Sequence, residues 1–206
     1  MIEKLITDSV MLWATIDPIG TLVLFAAITS GLPHHERKKI AFKATCYSAA
    51  ILLGSIILGQ IILAALGIKL ISLQIAGGII LFLFGLQMIF GSTFKEMSHR
   101  PEAGHDLAVF PMAVPAIASP GAIMAVILLT DNYQYSILSQ AMTSAVMFLI
   151  LGLTYVLMLW STPILKVIGT TGAAVLIRVM GMILAALSVE LIMNGLGVQR
   201  WIVPSP

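Results

Sequence analysis

Six times along this 206-residue chain an apolar run continues for about the roughly 20 residues needed to cross a bilayer core, and that recurrence decides the solvent before any motif is read. The runs lie at about 6–29, 40–65, 69–91, 107–129, 136–160 and 173–196. Hydrophobic residues make up 59% of the chain and charged ones 10%, against roughly 25% charged in a soluble domain. A water-soluble fold of this size could not hide so much apolar surface. The expected fold is therefore all-α, with six transmembrane helices in lipid. The first run follows Met1-Ile2-Glu3-Lys4 and could pass for a secretory signal, with the small residues Ala26-Ala27 near its end. Its full-span length and the Asp17-Pro18 in its middle argue instead for a retained first helix.

Polar punctuation separates the runs at Pro33 to Lys39, at Gly67, at 92–106, at Asp131-Asn132-Tyr133, and around Lys166 and Gly169-Thr170-Thr171-Gly172. All are expected as loops. The loops after spans 1, 3 and 5, with their flanking turns, hold Arg37, Lys38, Lys39, Lys43, Lys95, Arg100, Lys166 and Arg178. The opposite side holds only Lys4, Lys69 and Arg200. Because basic residues near helix ends stay cytoplasmic, both termini are expected outside the cytoplasm of a bacterial or archaeal inner membrane. A net charge of +2, with no basic run interleaved with aromatics, excludes a nucleic-acid partner. The single cysteine, Cys46, permits no intrachain disulfide.

The chain also reads as an internal duplication. Asp17-Pro18-Ile19-Gly20 in span 1 matches Ser119-Pro120-Gly121 in span 4 at an offset of 102, and Leu73 to Gln87 matches Leu176 to Glu190 at an offset of 103. The second match pairs Gly78 with Gly181 and Gln87 with Glu190. Each half contains three spans, an odd number, so the halves are expected to be inverted relative to one another. The division is 1–91 for the first three-helix repeat, 92–106 for a cytoplasmic connecting loop, and 107–206 for the second repeat.

Both matched motifs interrupt a span near its middle. A Pro and Gly break at membrane depth is expected only where protein or a watery cavity satisfies the freed backbone. Helix 1 is expected to break at Asp17-Pro18-Ile19-Gly20 and helix 4 at Ser119-Pro120-Gly121-Ala122, after Pro111 and Pro115. Half-helices starting near Ile19 and Gly121 would point N–H groups and a positive dipole toward the midplane, where a carboxylate could bind. Half-helices ending there offer carbonyls, and Asp17 adds a negative charge suited to an ammonium group or a proton. A zwitterion the size of a small amino acid satisfies both ends. The alternatives are that each break is a simple kink and that Asp17 is only a cap for the unwound turn. Yet an aspartate near the bilayer centre costs at least about 2.5 kcal/mol on insertion scales, which marks it as functional.

Glu190 is the second intramembrane acid, with Asn194 one turn beyond it. It is a proton-coupling candidate beside Asp17, unless it lies close enough to the surface to be solvated. Gly77-Gly78 and Gly181-Ala185-Ser188 are small-residue stripes assigned to helix packing. His34, His35, His99 and His105 all fall on expected loops with no metal-ligand spacing, and neither metal nor cofactor is expected. No HExxH, GxSxG or phosphate-binding loop occurs, which argues against an enzyme and against direct nucleotide coupling. Oligomeric state is not readable, since lipid-facing and partner-facing apolar residues look alike.

The combination of Asp17-Pro18-Ile19-Gly20, the run from Ile75 to Phe82 (IAGGIILF), the run from Pro111 to Ala122 (PMAVPAIASPGA) and Arg178-Val179-Met180-Gly181 resembles the MarC family of bacterial and archaeal membrane proteins across essentially the whole chain. The fourth-span motif is the most specific of these. The resemblance implies a six-span inner-membrane protein related to the LysE-like transporter group, some members of which are described as carriers of small neutral amino acids driven by protons. The resemblance also implies an amide in most relatives where this chain has Glu190, which argues against a family-wide proton role at that position. The leading expectation is a secondary transporter of a small neutral amino acid. The alternatives are an exporter of metabolites or drugs, which would want a wider aromatic-lined cavity, and a non-transporting membrane scaffold.

Overall fold

A computed structural model of the chain describes residues 2–90 and 106–198. The described residues are helical throughout, with no strand among them. In chain order they form α1 (Ile2–Ile16), α2 (Pro18–Ile28), α3 (His34–Ala65), α4 (Leu70–Phe90), an irregular wide-turned segment (Ala108–Ile117), α5 (Pro120–Leu129), α6 (Ile137–Leu159) and α7 (Ser161–Leu196). Five stretches are long and apolar enough to cross a membrane, with α1 and α2 together counting as one. The Ala108–Ile117 and Pro120–Leu129 pair, bent by 53°, supplies a sixth if taken as a single broken span. His99, His105, Lys95, Arg100, Arg200 and nearly all of the expected 92–106 loop lie outside the described residues.

The two interrupted spans form the centre. Leu12, Ile16, Phe25, Met112, Ile117 and Val126 are fully enclosed there, and α5 is buried on nearly all sides. Around them, α3, α4, α6 and α7 turn large apolar side chains outward, among them Ile57, Ile61, Leu83, Leu149, Val175 and Met182. In water such a surface would aggregate; in lipid it is the proper exterior. The packing has a recurring pattern: α1 lies on α6 as the 108–117 segment lies on α3, and α2 on α7 as α5 on α4.

The closest packing is between α4 and α7, which run antiparallel. A Cβ added at Gly78 would come within 3.1 Å of the Ser188 carbonyl oxygen, and one at Gly181 within 2.8 Å of the Gly85 carbonyl oxygen. Gly78 and Gly181 of the stripes read from the sequence thus bring main chain against main chain, where dispersion between closely approached helices replaces the absent hydrophobic drive, while Gly77 makes room for the Met124 side chain of α5.

Three expectations are corrected. The polar stretch Pro33 to Lys39 is not a loop beyond Pro33, because α3 begins at His34; charged composition reflects headgroup-level solvation and not loss of helix. Lys166 is likewise helical, and the connection after span 5 shrinks to a left-handed Gly169 (φ +71°) inside α7. The first half of span 4 is not an α-helix. Phe110 and Val114 are extended (φ −127° and −131°), as residues before proline prefer to be, and the Ala118 N–H reaches back five residues to the Ala113 carbonyl at 2.8 Å. The Gly67 turn (φ +66°) and the Asp131–Tyr133 turn fall where expected.

Candidate functional site

Both breaks are built from the same local grammar. At the first, Asp17 takes a left-handed conformation (φ 49°, ψ 70°) and its Oδ1 accepts the Gly20 N–H at 3.0 Å. Pro18 then sits in the first position of α2, where its missing N–H is not needed and its fixed φ suits the helix. At the second, Ser119 (φ −66°, ψ 156°) caps α5 by accepting the Ala122 N–H at 3.0 Å, and Pro120 takes the first helical position. The prolines therefore start half-helices and do not deprive the preceding turn: the Asp17 N–H still reaches the Trp13 carbonyl at 3.1 Å.

At both breaks the glycines act by the space they leave, and neither has a positive φ. A Cβ on Gly20 would lie 2.0 Å from the Asp17 Oδ2, so its absence makes room for the capping carboxylate. One on Gly121 would lie 2.1 Å from the Leu81 Cδ2, so its absence seats α5 against α4.

One hydrogen bond joins the two breaks. Ser119 Oγ, while accepting from Ala122, donates to the Thr15 carbonyl at 3.0 Å, one of the last-turn carbonyls that the end of α1 leaves without a helical partner. Thr15, Asp17 and Ser119 are exposed by only 1%, 6% and 3%. The Asp17 Oδ2 receives no hydrogen bond from the described residues, so the carboxylate keeps an open acceptor at the junction.

A cavity of about 280 Å³ adjoins this junction, lined by Ser119, Pro120, Gly121 and Pro115 on the broken span and by Phe84 and Gln87 on α4, with the exposed Ile80 and Leu83 of α4 at its outer rim. Of the expected binding residues, Ser119, Pro120 and Gly121 line it. Asp17, Pro18, Ile19 and Gly20 do not; they stand behind Ser119, connected through Thr15. Ala122 is fully buried, its N–H used by the cap. Glu190 lies on the exposed side of α7, accepts a hydrogen bond from Asn194 Nδ2 at 3.1 Å, and does not line this cavity. Among the described residues no group of three or more His, Cys, Asp or Glu is gathered as for a metal.

Two clusters escaped the sequence reading. At one end Lys4 Nζ meets the nearly enclosed Asp8 Oδ2 at 2.6 Å, Thr143 Oγ1 at 2.9 Å and the Leu129 carbonyl at 3.2 Å, and lies 4.1 Å from the centre of the Tyr135 ring. The i,i+4 spacing of Lys4 and Asp8 was the available signal. Burial first, then the carboxylates of Asp8 and Asp131, push the Tyr135 hydroxyl above its ordinary pKa. At the other end Arg37 donates to Thr29 Oγ1 (3.1 Å), Ser161 Oγ (2.8 Å) and Thr162 Oγ1. Each cation thus grips the C-terminal end of a half-helix, α5 or α2, where the helix dipole is negative. No sequence spacing links Arg37 to residues more than 120 positions away.

The family's sequence profile, described as MarC family integral membrane protein, matches residues 2–199. The chain belongs to the MarC family. Among its relatives, the UPF0056 membrane protein of Methanocaldococcus jannaschii is 33% identical, over 90% of this chain and 92% of its own length. A UPF0056 membrane protein of Archaeoglobus fulgidus is 35% identical, over 90% and 88%. The UPF0056 inner membrane protein YhgN of Escherichia coli is 30% identical, over 97% and 98%. No solved structure matches the chain. This MarC protein is accordingly a multi-pass integral membrane protein, similar from end to end to an inner-membrane relative.

Proposed function

We propose that this MarC protein is a secondary transporter that carries a small neutral amino acid by alternating access, with proton coupling, at the junction of its two broken spans. The observation that carries the reading is the buried hydrogen bond from Ser119 to the Thr15 carbonyl, two residues from Asp17. It puts two irregular backbones in contact with each other at the protein's centre, away from lipid, as a midplane solute site requires. Asp17 offers its open oxygen to an ammonium or a proton, and the cavity beside Ser119 and Gln87 receives the rest of the solute. In this conformation the junction is closed, so the solute would enter as Ser119 lets go of α1.

An inverted repeat with two three-helix halves accompanies this reading. Its support is a contact relation. Shifting each partner of the Gly78–Ser188 contact by 103 positions, one forward and one back, yields Gly181 and Gly85, which are also in contact. The same offset sends Gln87 to Glu190, which makes Glu190 the second proton candidate.

The test is counterflow of labelled glycine, alanine and serine in proteoliposomes, with and without a pH gradient, for the parent and Asp17→Asn. Exchange of at least one of them, with coupling lost in the variant, is the expected result. Exchange of none of these while unrelated solutes move would end the amino-acid reading, and unchanged coupling in the variant would leave Asp17 a cap.

A further inference from the structure

We infer that the end of the molecule carrying the α3–α4 turn holds a second ligand site, built for a small zwitterion: a primary ammonium and an anionic group carried a few ångströms apart on one molecule. A cavity of about 370 Å³ opens there, lined among others by Gln60, Gly67, Lys69, Asp131 and Tyr133. Its size lies in the range of small-ligand sites, roughly 300–1,000 Å³.

The two charges in it are both uncommitted. Asp131, only 4% exposed, accepts the Tyr133 N–H on Oδ1 at 3.0 Å. Its other oxygen takes no hydrogen bond from the described residues. Lys69, just before α4, makes neither an ion pair nor a side-chain hydrogen bond with a described residue, and the two do not reach ion-pair distance of each other. What little of the Asp131 carboxylate remains accessible is this second oxygen, and an opposite charge on a ligand would suit it.

The carboxylate is also held in place. Gln60 donates to the Thr130 carbonyl at 2.7 Å and accepts the Asn132 N–H at 3.1 Å, so the end of α3 brackets Asp131 on both sides along the chain. Such fixing lowers the cost of binding. A lone anion would face Asp131 and a lone cation would face Lys69. Only a molecule carrying both charges satisfies the pair. Two sources share that chemistry: a free small amino acid and the ethanolamine phosphate headgroup of a lipid.

The site is tested on the full chain in phosphatidylcholine nanodiscs by equilibrium binding of labelled alanine. The expected result is a binding component that Lys69→Gln and Asp131→Asn each weaken by about tenfold or more, as loss of a charged hydrogen bond predicts, and that Asp17→Asn leaves in place. If a lipid headgroup is the occupant, native mass spectrometry instead shows phosphatidylethanolamine retained over phosphatidylcholine by the parent and not by either variant. The inference is overturned if neither alanine binding nor lipid retention responds to either substitution, or if acetate or methylammonium alone binds as tightly as alanine. Lys69 is exposed, so Lys69→Gln decides the matter should Asp131→Asn fail to fold. Absent counterflow with this component intact would sink the transport reading and leave this site standing.

Discussion

Asp17 holds a conformation that costs most L-residues about 1–2 kcal/mol but that aspartate and asparagine tolerate. That tolerance separates its structural role from its charge. Asp17→Asn keeps an oxygen to accept the Gly20 N–H and is expected to unfold at the parent's temperature while losing coupled transport. Asp17→Ala loses the cap and also the tolerance for the left-handed backbone, and should be destabilised by about 2–3 kcal/mol; thermal unfolding in detergent distinguishes them. Ser119→Ala removes both the Ala122 cap and the link to Thr15, and is expected to cost about 1–2 kcal/mol by the same measurement. The Asp17 cap was visible in the sequence, because Asp before Pro is a helix-start signal even inside an apolar run; Ser119 was read as part of the second break and as a binding residue, and its capping role comes from the structure. Asp8 was not visible in this way. Its significance comes from Thr143, which is brought to it by folding from 135 positions away.

At the scale of elements, the crossing of α4 and α7 rests on glycines with no room to grow. Gly181→Ala would place a methyl 2.8 Å from the Gly85 carbonyl oxygen and the same distance from the Met88 Cβ, so the helices must part. It should lower the unfolding temperature of the purified protein. Gly54→Ala and Gly152→Ala meet nothing within 4 Å and are expected to leave it unchanged or raise it, by up to about 1 kcal/mol in stability. The helices themselves were legible from apolar length, yet their ends were not. Where α3 leaves the apolar region, His34 to Lys39 read as a loop although the backbone stays wound, since hydropathy reports the surroundings and not the winding. The irregular 108–117 segment was hidden for a different reason: Pro111 and Pro115 announce a disturbance, but its form depends on packing against α3.

Across the whole molecule, basic residues sort by end: Lys4 belongs with the turn after α5, while Arg37 belongs with the start of α7. The charge bias predicts that the Lys4 end faces outward from the cell. In a background with Cys46→Ser, a cysteine at Tyr133 should react with an impermeant maleimide in intact cells, and one at Lys38 only after permeabilisation; the reverse result would invert the proposed topology. The centre and the periphery also differ in how firmly they are joined. The α4–α7 pair is riveted through main-chain atoms, whereas the two interrupted spans are stitched at their midpoints by a single hydroxyl. The transport proposal accordingly asks for movement at the Ser119–Thr15 link, where one polar contact is exchanged, and leaves the α4–α7 crossing as its fixed frame.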